Sequence, residues 1–490
     1  MTAIDPPIKV GGKMCRRQYS CAVLSIIIIV FFSINGFAQN VNDAVRLAQP
    51  GLGMSARALG MGNSYVGLSD DASAAYFNPA GLGLLRKMEI AGGINYNKIN
   101  NSATFQGAST DYSNSNTDLD QISFAFPFPT LRGSLVFGMS YHKTKDFNGA
   151  LSFNGYNKNS SMIQYLLQNS STIPYDLYLA DKDYNSAIGG GLNQSGTILQ
   201  SGTIDNYTFS GAMEINRNLF LGANIDIISG KYENSREYYE DDSYNLYQGL
   251  TDPNSAISKD FRTFYLNDII NWDLSGYDLK LGLLYQFQDF ARFGATIQFP
   301  KTYKVKEDYK VAGSSDFSAA SVQLDDGKYS DKVEYTIVTP YEFSGGVAIN
   351  YRGFIFSGQI TYIDYTQTQF EDPTGISDSY IAGLNKNIKD QLNSVVNYNL
   401  GLEYTFSDLG LRIRGGYFVQ PSPYKGDPSD YNKKYVTGGF GFLVEDAISI
   451  DFAYLHGFWK DYGDNYGTNL SRTYQDLTLN KIIVTGTYHF

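Results

Sequence analysis

From about residue 88 to the C-terminus the chain repeats one pattern: runs of roughly ten residues in which apolar and polar side chains alternate. Period-two alternation is the signature of a strand with one greasy and one wet face. The last run shows it most plainly. Ile482, Val484, Gly486, Tyr488 and Phe490 share one face, and Lys481, Thr485, Thr487 and His489 the other. Tyr277–Phe287 repeats it, with Tyr277, Leu279, Leu281, Leu283, Tyr285 and Phe287 set against Asp278, Lys280, Gly282 and Gln286. Fourteen runs are counted, beginning near Glu89, Leu119, Ser134, Asn206, Leu219, Tyr277, Arg292, Tyr341, Phe354, Val396, Leu411, Val436, Ala447 and Lys481. Short links at Phe126–Gly133, Arg217-Asn218, Asp289–Ala291, Asn350–Gly353, Ser407–Gly410 and Glu445-Asp446 alternate with polar connections of about 17 to 60 residues, the one after the first run being about 20. Short turns on one rim and long loops on the other are the habit of outer-membrane barrels. The pattern therefore predicts an all-β fold, a transmembrane antiparallel β-barrel of about 14 strands over residues 88–490. An even strand number puts both barrel ends on the short-turn, periplasmic side.

The start of the chain sets the compartment. Ala22–Ile34 is the one long apolar run, preceded by Arg16 and Arg17 and followed by Gly36-Phe37-Ala38. A basic flank, an apolar stretch of 13 residues and a small-x-small site predict a secretory signal peptide over residues 1–38, with Met14 as the true start and cleavage after Ala38. The run is short for a membrane span, which needs about 20 residues, and a mean hydropathy of −0.26 excludes a helical membrane protein. Both cysteines, Cys15 and Cys21, fall in the signal, so disulfides and thiol catalysis are not expected of the mature chain. Removing Lys9, Lys13, Arg16, Arg17 and Asp5 takes the net charge from −11 to −14, which argues against nucleic acid as a partner. Forty Tyr and 31 Phe suit aromatic girdles at the membrane interfaces. The aromatic end Tyr488-His489-Phe490 is of the kind read by the outer-membrane insertion machinery. The bacterial outer membrane, with its lipid, is the expected location.

One stretch departs from the alternation. Arg57–Gly83 is rich in glycine, carries the adjacent acids Asp70 and Asp71, and contains the turn Asn78-Pro79-Ala80-Gly81. Small residues let backbone approach backbone, and Asn-Pro fixes an extended residue before a turn. The order Arg57-Ala58-Leu59-Gly60, Asp70-Asp71-Ala72-Ser73-Ala74 and Phe77-Asn78-Pro79-Ala80-Gly81 resembles the N-terminal plug of the FadL/OmpP1/TodX family of outer-membrane transporters for hydrophobic molecules. That resemblance implies a fourteen-stranded barrel whose lumen is obstructed by a plug, here residues 39–87. It also implies passive uptake of long-chain fatty acids or other hydrophobic molecules, with ligand leaving through a lateral opening in the wall. Arg57, Gly60, Asp70, Asp71, Phe77, Asn78, Pro79, Ala80 and Gly81 are the plug and gating residues it singles out.

Little else suggests chemistry. His142, His456 and His489 are read at a strand end, in a loop and at the terminus, with no shared spacing, so no metal, cofactor or catalytic site is expected. Asp181-x-Asp183-x-Asn185 begins like a calcium loop but has Ser186 where glycine is needed and Leu192 where the closing Glu belongs. Ser140 and His142 are the one pair that a barrel hydrolase could use. On the wet faces lie Glu89, Glu214, Asp226, Lys280, Arg292, Glu342, Glu403, Arg412, Arg414, Asp451 and Lys481, and buried charges of both signs need partners. Most are read as fixing the plug to the wall. Arg412 and Arg414, with Lys280 and Arg292, are the candidates for an anionic headgroup, since guanidinium grips carboxylate bidentately. Tyr238, Tyr239, Tyr244 and Tyr247 suggest a flexible aromatic outer surface that collects ligand. The alternative is a non-transporting partner barrel in a protein-secretion assembly, its long polar loops binding protein.

Overall fold

The computed structural model describes residues 39–445 and 447–490. The signal-peptide reading of residues 1–38, Met14 included, lies outside the described residues, as does Asp446 in the Glu445-Asp446 link. Fourteen antiparallel strands form the wall: β1 Glu89–Phe105, β2 Ala108–Phe128, β3 Leu135–Asp146, β4 Leu192–Asn216, β5 Leu219–Asp241, β6 Phe261–Phe287, β7 Ala291–Gln298, β8 Glu342–Tyr351, β9 Phe354–Asp364, β10 Ser394–Phe406, β11 Leu411–Gln420, β12 Lys433–Val444, β13 Ile448–Asp464 and β14 Arg472–His489. Each pairs with the next. β14 then pairs with β1 from Glu89 opposite His489 to Phe105 opposite Thr473, which closes the sheet and leaves no edge.

The alternation works as the sequence pattern requires. In β1 buried and exposed residues strictly alternate over Glu89–Tyr96, with Ile90, Ile94 and Tyr96 outward and Glu89, Ala91 and Asn95 inward. Outward apolar side chains are at home in hydrocarbon, so their exposure carries no cost there. Aromatic rings stack two residues apart along the short-turn rim at Phe124/Phe126, Phe354/Phe356 and Tyr488/Phe490, as an interfacial girdle demands. The short turns are tight: Asn218, Arg352-Gly353 and Gly410 take positive φ to reverse the chain. Among the described residues no helix is long and apolar enough to cross a membrane; the strands do the crossing.

The long connections differ from the expectation. Several strands rise far beyond the apolar band, β2 starting at Ala108 instead of Leu119, β4 at Leu192 instead of Asn206, β6 at Phe261 instead of Tyr277 and β14 at Arg472 instead of Lys481. The expected loop of about 20 residues after the first run is instead the two-residue turn Gln106-Gly107, both at positive φ. His456, expected in a loop, lies within β13. Further strands at Thr302–Phe317, Ser330–Val338 and Gln369–Thr374 continue the wall upward beside β6. Together these pieces make an extracellular cap with its own core of Phe105, Phe153, Tyr238, Phe261, Phe264 and Phe317. Tyr238, expected on a flexible surface, is fully buried there, whereas Tyr244 is exposed. At the centre of the cap Glu240 accepts from Ser161 Oγ (2.5 Å), Met162 N (2.7 Å), Gln194 Nε2 (2.8 Å) and Tyr238 OH (2.9 Å). Burial raises its carboxyl above the ordinary value, the four donors pulling the other way.

Candidate functional site: plug, wall and lumen

Residues 41–87 pack against inward-facing wall residues. Helix α1, Val41–Ala48, opens with a capping box in which Asn40 and Asp43 satisfy each other's backbone, and it stops before Pro50. Its apolar face (Val41, Ala44, Val45, Leu47) enters a buried cluster with Trp272, Tyr303, Tyr335 and Phe370. The same cluster takes Ile381, Leu384 and Ile388 of a loop helix, Asp378–Gln391. Gln39 Nε2 reaches Glu307 Oε1 (2.5 Å), which also accepts from Trp272 Nε1 (2.9 Å) and Tyr335 OH (2.8 Å) on its other oxygen.

The remaining segment is irregular: a short helix Ala56–Gly60, a single turn Ala74–Phe77, and a 3-10 helix Pro79–Leu84 with proline at its first position. Asn78, fully buried, is its clasp. Its Nδ2 donates to Val66 O (2.9 Å) and to Leu283 O of β6 (3.1 Å), while its Oδ1 accepts from Ala80 N (3.2 Å). Phe77 meets the Tyr65 ring at a tilt and the Tyr76 ring edge to face. Ala80 touches Phe220 and Leu284, and Gly81 lies on the Ser69 carbonyl where no Cβ would fit.

Charge ties this segment to four strands. Arg57 forms a bidentate pair with Glu403 of β10 (3.2 Å to each oxygen), and its Nη1 meets Asp70 at 2.5 Å and Asp71 at 3.6 Å. Asp70 is also bound by Arg292 of β7 (2.9 Å), which donates to the Leu68 carbonyl as well. On the other side Arg414 of β11 binds Glu403 and, on β13, Asp451 (2.5 Å each). The chain Asp451–Arg414–Glu403–Arg57–Asp70–Arg292 thus alternates in sign from wall to wall. Arg414 and Arg292 are consequently committed to protein carboxylates, not offered to a ligand headgroup. Lys280 donates to the Tyr76 carbonyl. Arg412 lines a cavity of about 290 Å³ with Arg57, Lys87, Glu89 and His489 at the short-turn rim. His142 is fully buried edge-on to the Tyr76 ring (5.2 Å between centroids) instead of meeting Ser140 as a base. Asp181 binds its own loop, accepting from the Asp183 and Asn185 backbone amides (2.9 Å each) in an exposed turn.

The wall contributes a set of residues that the sequence pattern did not single out. Asn224 Nδ2 donates to Ala75 O (2.5 Å), Asn399 Nδ2 to Gly62 O (2.8 Å), and Gln359 Oε1 accepts from Tyr65 N and Val66 N (3.0 Å each). Beside them, inward glycines let backbone reach backbone. A Cβ on Gly346 would sit 2.8 Å from Gly67 N, and one on Gly282 or Gly416 would overlap Asn78 or Gly62 outright. The signal was present as Asn, Gln and Gly at wet-face positions, but which plug residue each one serves is a long-range matter.

One place in the wall lacks backbone pairing between neighbouring strands. β2 and β3 pair only up to Gln121 opposite His142, although β2 runs on along β1 and β3 along β4. There β3 loses its alternation: His142, Lys143, Thr144 and Lys145 are all buried, with a bulge between Lys143 and Lys145. Side chains bridge the break, Lys143 Nζ to Asp118 (2.6 Å) and Asn116 Nδ2 to Asp146 (2.7 Å). Behind it lies a cavity of about 270 Å³, walled by Ile99, Phe147, Tyr435, Trp459 and Leu479 and studded with lysines. Lys145 Nζ donates to carbonyls ending α1, Arg46 O (2.7 Å) and Leu47 O (2.6 Å). Lys433 has Gln49 Oε1 (2.8 Å) and the face of Trp459. Among the described residues neither has a carboxylate within ion-pair distance.

The family described as outer membrane protein transport protein (OMPP1/FadL/TodX) matches residues 45–481. No curated protein sequence matches the chain. Among solved structures, the toluene transporter TodX of P. putida is similar at 14% identity and a TM-score of 0.55, over 89% of this chain and 99% of that one. A Pseudomonas aeruginosa FadL homologue is similar at 13% identity and a TM-score of 0.55, over 88% and 97%. At such identities the structural likeness speaks for the fold.

Proposed function

Because the chain belongs to the outer membrane protein transport protein family (OMPP1/FadL/TodX) and is thus an integral outer-membrane transporter of hydrophobic compounds, we propose that it takes up long-chain fatty acids or related amphiphiles passively, residues 39–87 acting as a plug that gates the lumen. The observation that carries this reading is the cavity behind the β2–β3 break. It pairs an aromatic and aliphatic wall with Lys145 and Lys433, two cations with no carboxylate at ion-pair distance among the described residues, which suits an anionic head on a greasy chain. A hydrophobic solute gains nothing by crossing into water when it can partition into lipid, so release is sideways where the break begins, at Gln121 and His142 on the margin of the apolar band. The reading assigns bond chemistry to no residue. At the plug the lumen holds ion pairs instead of a continuous apolar cavity, a feature that a partner barrel for protein secretion would share. The family match favours transport.

The test replaces Asp118 and Lys143 by cysteine in a mature chain that has none of its own, and joins them with a short bifunctional thiol reagent. Uptake of a radiolabelled long-chain fatty acid is expected to fall on cross-linking and to be unchanged by the monofunctional reagent. Undiminished uptake across a closed break would refute lateral release.

A further inference from the structure

A third cavity, of about 90 Å³, lies between the plug and strands β3 to β11. On its wall β5 and β6 set Asp226 directly opposite Asp278, both pointing inward and 5% and 2% exposed. Like charges facing each other across a ladder repel, and a buried carboxylate needs a partner. Asp226 accepts from Thr208, but among the described residues neither oxygen of Asp278 accepts a hydrogen bond from the protein, the Asp226 carboxylate beside it being itself an acceptor. Two further buried acceptors lining the same cavity are also unanswered: Asn206 Oδ1 on β4, at 4% exposure, and Thr144 Oγ1 on β3, at 7%.

The lysines nearby do not fill the need. Lys301 is bound to Glu342 (2.9 Å), and Lys280 donates to the Tyr76 carbonyl and lies over that ring. Asp226, Asp278 and Glu342 share the cavity lining with Lys280 and Lys301, and the open valences of the site are oxygen acceptors. Oxygen ligands suit hard cations. No three His, Cys, Asp or Glu among the described residues converge to hold a metal ion, which points away from a tightly held divalent ion and toward a single positive charge.

We propose that the Asp226–Asp278 pair, with Asn206 and Thr144, binds one small monovalent cation, either an alkali-metal ion or a compact alkylammonium group. This inference stands apart from the transport reading, since it concerns a site on the plug-facing wall and not the cargo.

The experiment is thermal unfolding of the detergent-solubilised full chain at fixed ionic strength. N-methylglucamine chloride, too large for the cavity, is replaced stepwise by sodium chloride in one arm and by methylammonium chloride in the other. The wild type is expected to gain Tm saturably in at least one arm, and which arm responds identifies the source of the charge. In Asp278→Asn the half-saturating concentration should rise at least ~10-fold, the loss of one of two opposed carboxylates. Asn206→Leu, which keeps both acids, should weaken the same response if the aspartate variant folds poorly. A wild type indifferent to both cations, or variants that respond as it does, would overturn the proposal.

Discussion

Glu403→Gln isolates what holds the plug. The carboxylate is almost fully buried between two guanidiniums, taking two bonds from Arg57 and one from Arg414. The amide keeps the shape but removes the charge, which leaves both cations desolvated with half their compensation gone. At an effective dielectric of about 20, each charge pair near 4 Å is worth about 4 kcal/mol, and breaking a buried pair by losing one member costs about 3–5 kcal/mol. The barrel itself is closed by fourteen ladders, so that cost falls on the docking of the plug, not on the wall. Amide hydrogen exchange followed by mass spectrometry reads this directly. Peptides covering residues 57–77 should exchange roughly a hundred- to several-thousand-fold faster in the variant, since each 1.36 kcal/mol of local opening is tenfold. Peptides from β10 and β13 should be unchanged. Equal acceleration everywhere, or none in the plug, would refute the view that this ion chain is the plug's attachment.

Three further outcomes follow from the same structure. Burial pushes the Glu307 carboxyl up to about 7, the nearby Asp43 charge adding to it while Tyr335, Trp272 and Gln39 donate against it. A carboxyl raised above its ordinary value stabilises the fold fully below about 4.5 and loses that contribution as pH climbs through about 7, on the order of 3 kcal/mol. Exchange in residues 39–48 should therefore quicken between those pH values, and Glu307→Gln should flatten the profile. Gly282→Val drives a side chain into Asn78, and overpacking of about 1–3 kcal/mol should lower the Tm without abolishing the heat-modifiable barrel band on gels. Glu240→Ala strands three buried donors in the cap, Ser161 Oγ, Met162 N and Tyr238 OH, since Gln194 keeps Ser160 O and Tyr466 OH, at about 1–3 kcal/mol for each one left unpaired. Limited proteolysis should then cut within residues 158–190 while the membrane-embedded strands resist.

The membrane-spanning part of the fold was legible because lipid imposes a strict rule, one greasy face per strand, and the rule leaves a mark every second residue. Where the strands leave the membrane the mark vanishes. Ala108–Asp118 reads ASTDYSNSNTD, polar on both faces, so its pairing with β1 is invisible until the register is seen. The plug was legible through residue order, and Asn78 does carry the clasp. Its attachments were not. Arg414 looks like a free lumenal cation in sequence, whereas the β10–β11 pairing sets it directly opposite Glu403 and Asp451 reaches it from β13, two strands away. Lys145 and Lys433 escaped notice for the opposite reason. One lies on a bulge that breaks alternation, and the other at the top of a strand beside a tryptophan that is distant in sequence.

The most direct measurement is equilibrium binding of a radiolabelled long-chain fatty acid to the purified, folded barrel, paired with uptake in cells by the wild type and by an Asn78→Ala, Pro79→Ala variant. The account expects saturable binding that weakens when Lys145 and Lys433 are both replaced by methionine, and uptake altered in the plug variant. A folded barrel that binds neither the fatty acid nor a neutral hydrocarbon such as toluene would contradict it.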